Sequence, residues 1–238
     1  MTFISRRDLL KRAAVVGAAA AASGDVARRL QPSVEAAGTV ESIGSAEAFA
    51  PHDHAMMAAA REPLENLTAT ESDLLEAIVA RLIPTDASGP GATEARAAHY
   101  IDRALGGALA SSRQAYTAGL AALDTYSRSS RGKAFTELST TDQDSVLIDV
   151  ETGAATGFTG SSAAFFGLVL NHTHQGMFGD PYYGGNANFV GWDLIGYPGI
   201  RTMVTAADQQ QLEKHALKPN HKSAYDYETF TKAGKNGH

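Results

Sequence analysis

Helix-start signals, each followed by apolar residues at helical spacing, recur through the middle of this chain and leave little room for a sheet. Thr68-x-x-Glu71 is a capping box, in which a hydroxyl and a carboxylate satisfy each other's free backbone N–H groups. Leu74, Leu75, Ile78, Val79, Leu82 and Ile83 then recur with the helical period. Pro84 stops this helix, because the residue before a proline is pushed out of the α region. The following stretch, Pro84 to Gly91, is turn chemistry throughout. A second helix is expected from Thr93, with Ala97, Tyr100, Ile101, Ala104 and Leu105 on one face. Ser111-x-x-Gln114 predicts the start of a third, with Tyr116, Leu120, Leu123 and Tyr126 inward. Thr140-x-x-Gln143 predicts a fourth, carrying Val146, Leu147 and Val150.

The fifth predicted helix, Ser162 to Gln175, is apolar on most sides through Phe165, Phe166, Leu168, Val169 and Leu170. Such a helix is buried by its own domain or by a partner. One more helix is expected from Ala206 to Ala216. No stretch alternates apolar and polar residues for long enough to build a sheet. The predicted fold class is therefore all-α: a small irregular helical bundle with no internal repeat. Its predicted limits are 67–216, preceded by a linker at 25–66 and followed by a polar tail at 217–238 whose apolar residues are Tyr225, Tyr227 and Phe230.

Composition excludes several functions. The 238 residues include no cysteine, which removes thiolate zinc sites, iron–sulfur clusters, haem attachment and disulfides. A formal net charge of −6 argues against nucleic-acid binding, which needs a basic surplus or stripe.

The amino-terminal residues 1–24 form an address. Charged residues from Arg6 to Arg12 precede an apolar run from Ala13 to Ala22, and Ala20-x-Ala22 offers a cleavage site. Ten apolar positions are half of the roughly 20 that a membrane-spanning helix needs. Ser5-Arg6-Arg7-Asp8-Leu9-Leu10-Lys11 resembles a twin-arginine export signal, with Leu9 where Phe is commoner. The alternative, a simple Ala-rich helix, is poor because adjacent arginines at a helix start oppose its dipole. Twin-arginine export carries proteins already folded, often with a cofactor in place. Cleavage after Ala22 removes four cations and one anion, which takes the net charge from −6 to −9.

Residues 176–200 concentrate the information. They hold the only Trp, three of the eight Tyr, two of the nine Phe and seven glycines. This composition predicts a long non-helical loop with large, rigid aromatic contacts. Three readings remain open: a loop packed over its own core, a protein–protein interface, or a sugar site with Trp192 as stacking platform. No phosphate-loop pattern is present.

A catalytic constellation is hard to assemble, for the chain has neither G-x-S-x-G nor H-E-x-x-H. The best titratable cluster is His172 and His174 with Asp180, an alternative metal or acid–base site. Two helical residues at that spacing point about 200° apart, which disfavours a shared metal. His172 is instead expected to hold the Gly-rich loop by a hydrogen bond. His52-Asp53-His54 is read as solvent-exposed.

Taken together, these motifs resemble the gluconate 2-dehydrogenase subunit 3 family. The resemblance is carried by the Ser5 to Lys11 signal, by Leu82-Ile83-Pro84-Thr85-Asp86 with Gly89-Pro90-Gly91-Ala92, and by Gly179-Asp180-Pro181-Tyr182-Tyr183-Gly184-Gly185-Asn186 with Gly191-Trp192-Asp193-Leu194-Ile195-Gly196-Tyr197-Pro198-Gly199. It implies a non-catalytic small subunit, without cofactor of its own, that stabilises a glucose-methanol-choline-type large subunit holding FAD. That large subunit oxidises a sugar or sugar acid, and a cytochrome c subunit is a candidate electron acceptor. The resemblance also implies that Ser5, Arg6, Arg7, Leu9, Leu10 and Lys11 address the pair to the Tat translocon and the periplasm, with membrane association through the complex. Pro181, Tyr182, Tyr183, Gly184, Gly185, Asn186, Trp192, Tyr197 and Pro198 are the expected partner interface.

Overall fold

A computed structural model of the chain describes residues 64–231. The export signal, most of the linker and His52-Asp53-His54 lie outside the described residues. Among those described there are eight α-helices and no strand, so the all-α class holds. No helix among them is long and apolar enough to cross a membrane.

Helix α1 (Ala69–Leu82) starts where the sequence predicts. Thr68 Oγ1 accepts from the Glu71 N–H, and the Glu71 carboxylate accepts from the Thr68 N–H at 2.9 Å. Ile83, forced extended by Pro84, ends it at φ −132°. The second helix starts later than expected: α2 spans Ala97–Ala104. Glu94 is spent on the loop, accepting from the Gly91 N–H and the Thr85 hydroxyl. Arg96 sits at φ +58°, which breaks the helical path between Thr93 and Ala97.

Helix α3 (Arg113–Arg131) has no side-chain cap, so the expected Ser111 box is absent; a 3-10 turn, Ala110–Ser112, leads into it. Helix α4 (Thr140–Glu151) is capped one residue earlier than predicted, by Ser139 accepting from the Asp142 N–H. Gln143 is not a capping residue; its side chain turns inward and donates to the Phe135 carbonyl at 3.0 Å.

Helix α5 (Ser162–Phe178) is the central element, lying against α2 and α4 and touching α1 and α3. That surround explains why apolar side chains cover most of its circumference. Phe165, Val169 and Met177 join the core, and Phe166, Leu168 and Leu170 pack on its margin. Against them stand Leu75, Ile78 and Val79 of α1, Ile101 of α2, Tyr116, Leu120 and Leu123 of α3, and Val146 and Val150 of α4. At its carboxyl end α5 meets α2 backbone to backbone. A Cβ at Gly176 would lie 2.9 Å from the Ala97 Cα, so only glycine permits that crossing.

The last residues before α1 are bound to the bundle. The N–H groups of Glu65, Asn66 and Leu67 all donate to the Asp102 carboxylate, at 2.8, 3.0 and 2.7 Å. Asp102 is 1% exposed, and this cage of donors is what lets a carboxylate stay there.

The segment after α5 is not the non-helical loop that its glycines suggest. It folds as a 3-10 turn (Pro181–Tyr183), a second (Ala187–Phe189) and helix α6 (Val190–Leu194). Helix α7 (Ala206–Glu213) follows, with a Thr205–Asp208 capping box and no buried residue. The tail then folds back and ends in a 3-10 turn (Ala224–Asp226) and a short α8 (Glu228–Thr231).

Candidate partner-docking surface

The segment from Gly179 to Gly199 is built around Asn186, which is fully buried. Its backbone N–H donates to the Gly176 carbonyl at 2.6 Å and its Nδ2 donates to the Gly179 carbonyl at 2.9 Å. Its Oδ1 accepts from the Gly191 N–H at 2.8 Å. One side chain therefore fastens the end of α5 to the start of α6. The glycines serve this approach: a Cβ at Gly185 or Gly191 would collide with the carbonyl of Gly176 or Met177. Sequence reading assigns the fastening to His172; Asn186 performs it.

His172 looks the other way. It is buried in the bundle, with Nδ1 3.0 Å from the Tyr116 hydroxyl and its ring stacked on Tyr116 at 5.8 Å. Burial pushes its imidazole below the ordinary value, and burial with the neighbouring Tyr100 phenol raises Tyr116. His174 is exposed with its ring tilted over Phe178. The Asp180 carboxylate accepts backbone N–H groups from Tyr182 and Ala224, at 2.9 and 2.8 Å. The cluster predicted from His172, His174 and Asp180 is thus dispersed over three environments. Among the described residues no three His, Asp or Glu side chains are grouped to hold a metal.

Trp192 also turns inward. It is 5% exposed, its Nε1 donates to the Phe178 carbonyl at 2.9 Å, and Phe189 and Tyr197 pack beside it at 5.5 and 4.8 Å. A sugar-stacking platform needs an open ring face, so that expectation for Trp192 is corrected. Gly185 and Asn186 are buried too, while Pro181, Gly184 and Pro198 are half-buried.

The tyrosines do the opposite. Tyr182, Tyr183 and Tyr197 are exposed, at 52%, 48% and 37%. Ile195, Met203, Val204, Leu212 and Phe230 extend this apolar exposure, so eight of the ten large exposed hydrophobics among the described residues follow α5. The sequence reading passes over Met203, Val204 and Leu212, which are scattered among polar residues and carry no periodic signal. Exposed rings and aliphatics on a rigid, internally fastened segment are the features of a contact surface.

The family model of gluconate 2-dehydrogenase subunit 3 matches residues 69–199, more than half of the chain. The chain belongs to the gluconate 2-dehydrogenase subunit 3 family. No curated protein and no solved structure matches it. The subunit 3 match begins at the first residue of α1 and ends at Gly199, so it takes in the five-helix core and the whole Asn186-centred segment. It leaves α7, α8 and the folded-back tail outside. A subunit 3 chain is by that designation one part of a multi-subunit enzyme, and so a protein with partners.

Proposed function

We propose that this chain is a non-catalytic subunit of a periplasmic, FAD-dependent sugar or sugar-acid dehydrogenase. It carries the export signal for the pair and stabilises a glucose-methanol-choline-type flavoprotein by docking its ring-rich face against it. The FAD belongs to that large subunit, and a cytochrome c subunit is a candidate electron acceptor.

One observation carries the docking part of the reading. Within a family named for a subunit, Tyr182, Tyr183, Ile195 and Tyr197 are left exposed on one short segment, which the buried Asn186 fastens by hydrogen bonds. A protein that worked alone would gain nothing from fixing Tyr182, Tyr183 and Ile195 in water. The export part rests on Ser5-Arg6-Arg7-Asp8-Leu9-Leu10-Lys11, which fits a route that moves folded, cofactor-loaded cargo.

The test is co-expression of the full chain with the flavoprotein subunit of the proposed complex. Changing Arg6 and Arg7 together to Lys should leave the dehydrogenase activity in the cytoplasm. Undiminished periplasmic activity in that variant overturns the escort role.

A further inference from the structure

The tail beyond the family match does not trail away; it lies across the surface proposed above to face the flavoprotein. Residues 217–231 are tied to residues 180–200 at four places. Asn220 Nδ2 and the Tyr227 hydroxyl both donate to the Ile200 carbonyl, at 2.7 and 2.6 Å. His221 Nε2 lies 2.7 Å from Asp193 Oδ1, with its ring stacked on Phe189 at 5.1 Å. The Ala224 N–H donates to Asp180 Oδ2 at 2.8 Å. Tyr225 stacks on Tyr182 at 3.7 Å, and its hydroxyl is 2.8 Å from that of Tyr183.

These attachments are many but shallow. From Ile200 to Phe230 the only buried residue is Ser223. An open groove of about 540 Å³ runs along these contacts, lined by Tyr182 and Phe189 on the body and by Tyr225, Asp226 and Phe230 on the arm. The arm is seated over the face without sealing it. Segments with few buried contacts and exposed hydrogen bonds open locally at low cost while the rest stays folded.

We propose that residues 217–231 form a latch, an intramolecular occupant of the docking face that the dehydrogenase subunit displaces. This rests on the docking reading given above. The latched state covers one face each of Tyr182 and Phe189 and engages the Asp193 carboxylate, so a partner that needs those groups binds only the open fraction. Apparent affinity is then the intrinsic affinity reduced by that fraction.

The test uses the full chain and its Tyr225→Ala variant, which removes the stack and the hydroxyl pair without touching the body. In the isolated chain, hydrogen exchange at the Asn220 and Ala224 amides should run faster than in α5. In the variant it should accelerate about fivefold, the worth of one aromatic pair, with α5 unchanged. Binding to the purified flavoprotein, followed by calorimetry, should tighten by about the same factor. Arm amides exchanging only as slowly as α5 would overturn the latch, and so would weakened or unchanged binding by Tyr225→Ala. If neither chain binds the flavoprotein, the docking reading fails and the competition falls with it, whatever the exchange data show.

Discussion

The Tyr116 hydroxyl lies 3.0 Å from His172 Nδ1 in the middle of the bundle, with the two rings stacked at 17°. The pair is a structural link between α3 and α5, and it makes stability depend on pH. Burial lowers His172 from 6.5, so below that pH the unfolded chain binds the proton more readily than the folded one. Stability should therefore fall as pH drops through 6.5 toward the folded value. His174, partly desolvated beside Phe178, shifts in the same direction. Tyr116→Phe leaves Nδ1 without its partner and should cost about 1–2 kcal/mol at neutral pH, read by urea unfolding. His172→Gln should flatten the slope between pH 5 and 7, and an unaltered slope would remove the pair from the explanation.

A second pH dependence, of opposite chemistry, sits at the start of α1. Desolvation raises Glu71, but hydrogen bonds from Arg113 and Thr68 outweigh it and bring the carboxyl from 4.5 to about 2. Arg113 holds both carboxylate oxygens, at 3.1 and 3.0 Å. The stabilisation is complete above 4.5 and is lost as pH falls toward 2. After allowance for solvent screening, Arg113→Ala should cost about 1–2 kcal/mol at pH 7 and much less near pH 2. Equal losses at both pH values would show that Arg113 acts by packing alone.

Gly119 offers a test in which the sign decides. In an exposed helix interior, Gly→Ala raises stability by about 1 kcal/mol. Here an added Cβ would run into the Phe165 ring, which is 8% exposed and enclosed by the core. Overpacking of that kind costs about 1–3 kcal/mol, so Gly119→Ala should lower stability. Adding Phe165→Leu should recover part of the loss relative to Phe165→Leu alone. A more stable Gly119→Ala chain would contradict the α3–α5 packing described.

The helices and their inward faces were legible in the sequence because caps and periodicity are local. Thr68-x-x-Glu71, the Pro84 stop and the Leu74 to Leu82 stripe needed no knowledge of the rest of the chain. What failed was non-local. Nothing in the residues 93–96 announces that Glu94 turns back to Gly91 or that Arg96 adopts a positive φ, so the start of α2 was read early. In the aromatic segment, composition showed that rings were concentrated but not which faced water. A stacking platform is one of three readings open for Trp192, whose indole is spent on the Phe178 carbonyl; Asn186, which looks like a turn residue among glycines, is the fastening. The tail read as polar and loose because its anchors lie 20 to 44 residues away in the chain.

Asn186→Ala tests whether that fastening is what holds the face in place. The change removes two side-chain hydrogen bonds and leaves the buried Gly191 N–H unpaired. A loss of about 2–3 kcal/mol is expected. Because Trp192 is the only tryptophan, its emission reports the same region, and it should shift to the red while far-ultraviolet circular dichroism is kept. An unshifted spectrum would mean that the segment is held by other means.

The most direct measurement is co-purification of the full chain with its flavoprotein after charges are placed on the exposed rings. Tyr182→Asp with Tyr197→Asp alters two exposed rings, and because Tyr197 packs against Trp192, retention of the fold is read by far-ultraviolet circular dichroism rather than by emission. The account predicts that the double variant folds, is exported, and no longer retains the flavoprotein on an affinity column. Full retention by that variant, or oxidation of a sugar by the isolated chain, would contradict it.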